Sequence, residues 1–203
     1  MKMLKILMAT GNQGKLREMR EMLSALPVEI LSLKDFPEIP EPIEDGATFE
    51  ANSILKARYY REKTGCAAMA DDSGLEVEAL GGAPGVHSAR FCGHHGDDEA
   101  NNEKLLSELA ARGVTESKAA YRCVLSFVGL DGRELTAAGS CEGIVKEPRK
   151  GENGFGYDPY FYVTEGKLSG RTMAELTLEE KGTISHRARA MEKLKKMLEE
   201  NVL

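Results

Sequence analysis

The sequence lacks any apolar run approaching the ~20 residues that a helix needs to cross a membrane, so no membrane partner is expected. The apolar stretch over residues 1–8 is too short for a signal peptide and is soon followed by Asn12. The four cysteines are widely scattered and form no Cys-x-x-Cys pair. Together these features favour a protein of the reducing cytoplasm.

An excess of basic residues is also absent. The chain of 203 residues has 27 Lys and Arg against 33 Asp and Glu, a net charge of −6. This balance argues against extensive nucleic-acid binding, although a local lysine cluster can still hold a small anion. With 41% hydrophobic and 30% charged residues, the composition is that of a globular protein. The length fits one large domain or two lobes that share a core.

Hydrophobic periodicity predicts strands that alternate with helices. Strands are predicted over residues 3–9, 28–33, 66–70, 121–128 and 134–145, and helices over 16–26, 48–64, 97–112 and 185–198. Asp131-Gly132 is typical of a hairpin between the two long later strands. Ser185 is expected to cap the last helix, with core positions Ala188, Met191, Leu194 and Leu198. The pattern predicts an α/β fold with a mixed sheet.

The pair Asp71-Asp72 is the feature that most directly suggests chemistry. It follows the predicted buried strand 66–70, and ligands of α/β proteins bind where strands end. Two carboxylates at one strand end repel each other, and a bound cation, usually Mg²⁺, removes that repulsion. A turn or helix cap is the alternative, because Asp and Ser are favoured there as well.

The segment Thr10–Lys15 forms a turn between the first strand and helix. Backbone N–H groups at a helix start, together with Lys15, suit a phosphate. The segment is not a Walker loop, because Leu16 follows the lysine where that loop needs Ser or Thr. A simple turn with an exposed lysine remains the alternative.

Asn52 and Lys56 are four residues apart and therefore share one face of a predicted helix. A polar pair beside the apolar anchor Phe49 suits a binding cleft. A solvated helix face fits the same periodicity.

Two later segments carry candidate ligand contacts. In the glycine-rich run 151–158, Phe155 could stack on a base and Asp158 could accept its ring N–H groups, unless the aromatics pack into the core. Lys181, His186 and Arg187 are expected at a helix start. The helix dipole disfavours cations there, so they would need an anionic or carbonyl-bearing partner. An exposed basic patch without function is the alternative.

Another cluster, Cys92, His94, His95, Asp97 and Asp98, is similar to a set of metal ligands. Its spacing matches no tetrahedral zinc pattern, and adjacent histidines rarely reach one ion. A loop followed by a helix cap is the favoured interpretation.

Taken in order, these blocks resemble one family closely, the inosine/xanthosine triphosphate pyrophosphatases. The matching blocks are Thr10-Gly11-Asn12-x-x-Lys15, Thr48-Phe49-x-x-Asn52 with Lys56-Ala57, Ala70-Asp71-Asp72-Ser73-Gly74-Leu75, Gly81-Gly82-Ala83-Pro84-Gly85-Val86 with Ser88-Ala89-Arg90, Gly154-Phe155-Gly156-Tyr157-Asp158-Pro159 and Ser185-His186-Arg187. They span nearly the whole chain, and the set in this order is highly specific.

The resemblance implies an enzyme that hydrolyses non-standard purine nucleoside triphosphates (ITP, dITP and XTP) to the monophosphate and pyrophosphate, with Mg²⁺, and so cleanses the nucleotide pool. It implies that residues 1–203 form one elongated α/β domain with a mixed, twisted sheet and two lobes around a substrate cleft. A cytoplasmic homodimer is expected, with neither nucleic acid nor membrane as partner.

The resemblance also implies roles for individual residues. Asp72 resembles the proton acceptor and a metal ligand, and Glu44 the second metal carboxylate, which leaves Asp71 as a structural carboxylate. Substrate contacts are implied for Thr10, Gly11, Asn12, Gln13, Gly14, Lys15 and Lys56 on the triphosphate side, for Ser73, Phe155, Gly156, Tyr157 and Asp158, and for Lys181, His186 and Arg187 on the base side. Many members carry Glu directly before the asparagine that matches Asn52. This chain has Ala51 there and Glu50 on a different helix face.

The residue types agree with this chemistry. Water would attack the α-phosphorus while Mg²⁺ on Glu44 and Asp72 neutralises the leaving pyrophosphate. Lys181 and Arg187 can only donate hydrogen bonds, which favours the carbonyl of hypoxanthine or xanthine over the amino group of adenine. Two alternatives stay open: a pyrophosphatase for other nucleotides, and a nucleotide-binding module without hydrolysis. A pure binder would gain nothing from a base placed at the metal.

Overall fold

The computed structural model describes residues 3–203; Met1 and Lys2, part of the segment considered as a signal peptide, lie outside the described residues. The strands are β1 (Leu4–Met8), β2 (Val28–Leu31), β3 (Ala67–Val77), β4 (Glu116–Val128), β5 (Glu134–Lys146) and β6 (Phe161–Val163). The α-helices are α1 (Gln13–Leu23), α2 (Phe49–Thr64), α3 (Asp98–Ala111), α4 (Leu178–Ile184) and α5 (His186–Asn201). Over residues 3–203, every helix is too short or too polar to span a bilayer.

The six strands form one sheet in the order β2-β1-β3-β4-β5-β6. Strand β1 is parallel to both β2 and β3, whereas β5 and β6 are antiparallel. The predicted α/β fold with a mixed sheet is therefore confirmed. The predicted hairpin is also present: β4 and β5 are neighbours, and the turn between them is closed by a hydrogen bond from Gly129 N to Arg133 O of 2.8 Å.

Alternation along β1 and β3 packs a different layer on each face of the sheet, because successive strand side chains point to opposite sides. One core contains Ile6, Met8, Ala67 and Met69 with apolar side chains of α1 and α5. A second core contains Leu7, Ala9, Ala68 and Ala70 with Ala57 and Tyr60 of α2. Odd-numbered positions at the start of β3 thus face α1 and α5, and even-numbered positions face α2.

The chain divides into two compact units. Unit 1 is the chain up to Asp72 with Cys123–Gly139 and Arg189–Leu203, and it contains both cores described above. Unit 2 is Ser73–Arg122 with Ser140–Ala188. Its own core includes Leu75, Leu105, Tyr121 and Phe161. The implied single elongated domain with a cleft stays a prediction.

The predicted strand end at Ala70 is wrong. Strand β3 continues to Val77, so Asp71 and Asp72 lie inside it and not in a loop. The strand continues because Leu75 and Val77 restore the apolar alternation and are fully buried. Strand β1 ends at Met8, paired with Met69, so β3 carries its two carboxylates just past the carboxyl end of its parallel neighbour.

The caps predicted for α2 and α5 are present, whereas one predicted core position of α5 is not in the core. Thr48 caps α2 and Gly65, with left-handed backbone, follows it as predicted. Ser185 Oγ accepts from Ala188 N at 3.1 Å and so caps α5. Ala188 itself is not a core position, because it is only half-buried, whereas Ala190 is fully buried. Strand β4 also begins at Glu116, earlier than the predicted Tyr121.

Candidate active site

Asp71 is paired with a lysine of the first helix. It faces α1, where the Lys15 Nζ lies 2.7 Å from Asp71 Oδ2. Asp71 is only 2% exposed, so this ion pair satisfies a charge that is almost wholly removed from water. Because adjacent strand residues face opposite sides of the sheet, Asp71 and Asp72 contact different helices, and the predicted division of roles between them stays a prediction.

Asp72 faces α2 and is held there by Asn52. The Asn52 Nδ2 donates to Asp72 Oδ2 at 3.0 Å, and the Asn52 Oδ1 accepts from Gly46 N at 2.8 Å. Asn52 is 1% exposed, so its amide lies inside the protein and does not face an open cleft. A Cβ at Gly46 would lie 2.5 Å from Asn52 Oδ1, so only glycine permits this approach. Asn52 thereby ties Asp72 to the loop that carries Glu44.

Lys56, one helical turn after Asn52, joins the same group. Its Nζ lies 2.9 Å from Glu44 Oε1 and donates to the Asp71 carbonyl oxygen at 3.2 Å. Burial alone would lower the pKa of Lys56, but the carboxylates of Asp71, Glu44 and Asp72 outweigh it and raise that pKa. Lys56 is thus a cation beside three carboxylates. We call Lys15, Glu44, Asn52, Lys56, Asp71 and Asp72 the carboxylate–lysine group.

The electrostatics of this group favour an added cation. Burial is the main reason that the pKa of Asp72 rises from 3.8 to about 6; Glu44 and Asp71 raise it further, while Asn52 and Lys56 lower it. Across residues 3–203, no three His, Cys, Asp or Glu side chains form a complete metal cage. Mg²⁺ is commonly held by one or two carboxylates with waters and substrate phosphates, so Glu44 and Asp72 are a fitting donor set.

The predicted phosphate segment begins α1 and is largely occupied in shaping that start. Asn12 caps the helix by accepting from Lys15 N at 3.1 Å, and Thr10 Oγ1 accepts from Asn12 N at 3.1 Å. The first N–H groups of a helix, here those of Gln13 and Gly14, have no intrahelical acceptor. They can therefore bind an anion next to Lys15. Gly11 is exposed before them.

A second polar group lies in unit 2 and is centred on Asp158. The Lys181 Nζ lies 2.7 Å from Asp158 Oδ2, and the Tyr121 hydroxyl donates to Asp158 Oδ1 at 2.9 Å. Both carboxylate oxygens of the buried Asp158 are therefore engaged within the protein. At Gly154, where φ is +100°, a Cβ would lie 2.1 Å from Asp158 Oδ2 and 2.5 Å from Lys181 Nζ. Glycine at this position is what allows the pair to form against the backbone.

His186, Arg187 and Phe155 complete this second group. The ring of His186 is stacked on Tyr121 with centroids 4.8 Å apart and planes inclined by 13°. The guanidinium of the buried Arg187 lies 5.9 Å from the centre of the Phe155 ring. Phe155 is 44% exposed, which leaves ring surface available to a ligand. We call Tyr121, Phe155, Asp158, Lys181, His186 and Arg187 the aspartate–cation group.

Two predictions about this region need correction. Lys181 does not lie at a helix start; it lies in the last turn of the short helix α4, where the helix dipole favours a cation. Only His186 and Arg187 occupy a first helical turn. Tyr157 is packed in the core, where its hydroxyl donates to Ser88 O at 2.8 Å and burial raises the pKa of its phenol. The aromatic that remains exposed is Phe155.

The sequence matches a known family over most of its length: a model of the Ham1 family matches residues 6–197. The chain belongs to the Ham1 family. It is 49% identical over 193 residues to a dITP/XTP pyrophosphatase of Geobacter sulfurreducens, covering 95% of this chain and 96% of that protein. The value is 47% over 200 residues for the dITP/XTP pyrophosphatase of Bacillus anthracis, covering 98% of each. A Ham1 protein structure from Coxiella burnetii matches with a TM-score of 0.88 at 40% identity, covering 98% of this chain and 100% of that one.

In this Ham1 protein, the sequence contained no signal for the residues that contact the predicted site residues and hold them in place. Tyr121 reads as an ordinary strand aromatic, yet it orients both Asp158 and His186. Asp98 and Asn102 of α3 contact the glycine-rich segment, and only tertiary structure brings them there. The predicted cap before α3 is confirmed, because Asp97 accepts from Ala100 N. Glu50 is exposed in the first turn of α2.

Proposed function

We propose that this Ham1 protein hydrolyses non-standard purine nucleoside triphosphates such as ITP, dITP and XTP, releasing the monophosphate and pyrophosphate. The names of its relatives support the substrate class. The observation that carries the chemistry is the half-buried Asp72, which Asn52 holds beside Glu44 and Lys56. In the metal-free protein, burial raises the pKa of Asp72 to about 6, and a general base works best with a pKa close to the working pH.

The carboxylate–lysine group is assigned to the triphosphate. Glu44 and Asp72 would hold Mg²⁺, and that ion would supply charge neutralisation for the leaving pyrophosphate. Asp72 accepts the proton of the water that attacks the α-phosphorus. Lys15, Lys56 and the first N–H groups of α1 hold phosphate oxygens, and the adjacent Thr10–Gly14 and Ser73 contact the substrate.

The aspartate–cation group is assigned to the base. Phe155 stacks on the purine, a contact worth ~1–3 kcal/mol per base. Because Lys181 and Tyr121 engage both oxygens of Asp158, that carboxylate orients Lys181 and does not itself accept from the base. Lys181 and Arg187 donate toward the carbonyl oxygen of hypoxanthine or xanthine. The amino group of adenine would set donor against donor, which a buried site rejects strongly.

The test is a product assay with Mg²⁺ and ITP, XTP, dITP, ATP or GTP, in which the released ion is identified. We expect pyrophosphate, with ITP and XTP turned over far faster than ATP. Release of orthophosphate, or equal rates on ATP, would refute the proposal. The variant Asp72→Asn is expected to lose turnover while it still binds ITP. If the unaltered protein binds ITP without hydrolysing it, the chain is a nucleotide-binding module.

Add-back of single metals after chelation addresses the cofactor. We expect Mg²⁺ to restore turnover, and Glu44→Gln to raise the Mg²⁺ concentration needed for half-maximal rate. Activity that survives complete chelation would contradict the assignment of Glu44 and Asp72. The cytoplasmic location and the homodimer stay predictions.

A further inference from the structure

The backbone N–H and the backbone carbonyl of Gly156 both form hydrogen bonds with side chains of α3. The Asp98 Oδ2 accepts from Gly156 N at 2.7 Å, and the Asn102 Nδ2 donates to Gly156 O at 2.9 Å. Asp98 and Asn102 are four residues apart and therefore lie on one face of the helix. Both hydrogen bonds of a single loop residue thus end on one helical turn.

The residue that such an anchor controls is Phe155. It stands between Gly154 with φ of +100° and Gly156 with φ of +63°. Glycine has the widest backbone freedom of any residue. The backbone on either side of Phe155 therefore restricts the position of its ring only weakly. The Gly154 side is packed against Asp158 and Lys181. The Gly156 side is held by α3.

Asn102 retains its amide at a cost in stability. It is 5% exposed, and its Nδ2 also donates to Asp98 O at 2.8 Å. Its Oδ1 is buried and, within residues 3–203, accepts no hydrogen bond. An unsatisfied buried acceptor is unfavourable and needs an explanation. The explanation is the Nδ2 of the same amide, which donates to the carbonyl oxygens of Asp98 and Gly156. An apolar side chain of similar size would supply no donor to them.

We propose that Asp98 and Asn102 are positioning residues that fix Gly156 and thereby hold the Phe155 ring in place for the purine base. This inference rests on the proposed function, since it assumes that Phe155 stacks on the base. Neither residue needs to touch the substrate. Their loss is felt as weaker nucleotide binding, while the proton transfer at Asp72 proceeds as before.

The experiment compares steady-state kinetics on ITP for single and double variants. Asp98→Ala removes the acceptor for Gly156 N, and we expect KM to rise about tenfold with kcat changed less than about twofold. Asp98→Asn keeps an acceptor oxygen and should restore most of the loss. Asp97→Ala is the matched control, because it removes the neighbouring helix cap without touching the loop. It should lower the melting temperature and leave KM unchanged.

A double-mutant cycle with Phe155→Ala tests whether Asp98 affects KM through the Phe155 ring or independently of it. If Asp98 acts through the ring, its substitution has little further effect on KM once Phe155 is absent. Additive effects, or equal KM changes in Asp97→Ala and Asp98→Ala, would overturn the inference. If Phe155→Ala alone leaves KM unchanged, the stacking assigned under the proposed function fails instead. Asn102→Leu supplies a second variant: we expect a raised KM in a protein that melts near the normal temperature, and a normal KM would count against the inference.

Discussion

Replacing Asp72 with Asn is expected to stabilise the protein at neutral pH while abolishing turnover. The carboxylate is partly buried and lies near two others, and burial chiefly raises its pKa from 3.8 to about 6. Asparagine has the same shape and carries an oxygen that can still accept from Asn52 Nδ2. The substitution therefore removes an unfavourable charge and keeps the hydrogen bond.

The magnitude follows from linkage between proton binding and folding. The folded pKa of about 6 lies about two pH units above 3.8, and each unit corresponds to about 1.4 kcal/mol. The native state binds the proton more tightly than the unfolded state, so this carboxylate lowers the stability as pH rises from about 4 to about 6. Above that range the ionised group destabilises the fold by up to about 3 kcal/mol.

The assay is urea unfolding of both proteins, without divalent metal, at about pH 4 and about pH 8. Asp72→Asn should be more stable by up to about 3 kcal/mol at the higher pH and nearly equal at the lower. The matched control is the neighbouring Asp71→Asn. It removes the carboxylate that the half-buried Lys15 ammonium contacts at 2.7 Å and should destabilise the protein by about 1–3 kcal/mol. Equal stabilities for wild type and Asp72→Asn at about pH 8 would refute the reasoning.

Three further predictions concern the site. Asn52→Leu removes the hydrogen bond that lowers the pKa of Asp72, so the acid limb of the pH profile of kcat/KM should shift to higher pH. An acid limb at the same pH as in the wild type would contradict this role of Asn52. Gly154→Ala places a Cβ 2.1 Å from Asp158 Oδ2, so the activity on ITP should fall at least about tenfold, whereas Gly170→Ala, a control in equally strained backbone but open space, should lose only stability. Lys181→Met should reduce the preference for ITP over ATP, measured as the ratio of kcat/KM values; an unchanged ratio would exclude Lys181 from base selection.

Several local signals predicted the structure correctly. Thr48 and Gly65 bound α2 as predicted, and the turn at Asp131-Gly132 joins two neighbouring strands. Capping and turn formation depend on hydrogen bonds between residues a few positions apart, so short sequence windows contain them. The alternation of strands with helices, together with this hairpin, likewise predicted the mixed sheet.

The errors arose where distant residues decide. Polar residues at 71–74 predicted a strand end, but burial of Leu75 and Val77 extends β3 through them. Tyr157 and Phe155 look equivalent in the sequence, and only packing separates the buried one from the exposed one.

The order of motifs and the hydrophobic pattern were enough to indicate the family, the mixed α/β class and the residue types available for catalysis. Tertiary structure decided what each does. Asp71 and Asp72 are identical neighbours, yet strand alternation turns one toward Lys15 and the other toward Asn52. Burial and nearby charge then make the first a partner in an ion pair and the second a carboxylate with a raised pKa. The two helix residues that create those environments are distant in the chain: Lys15 is 56 residues from Asp71, and Asn52 is 20 residues from Asp72. No local sequence pattern encodes such contacts.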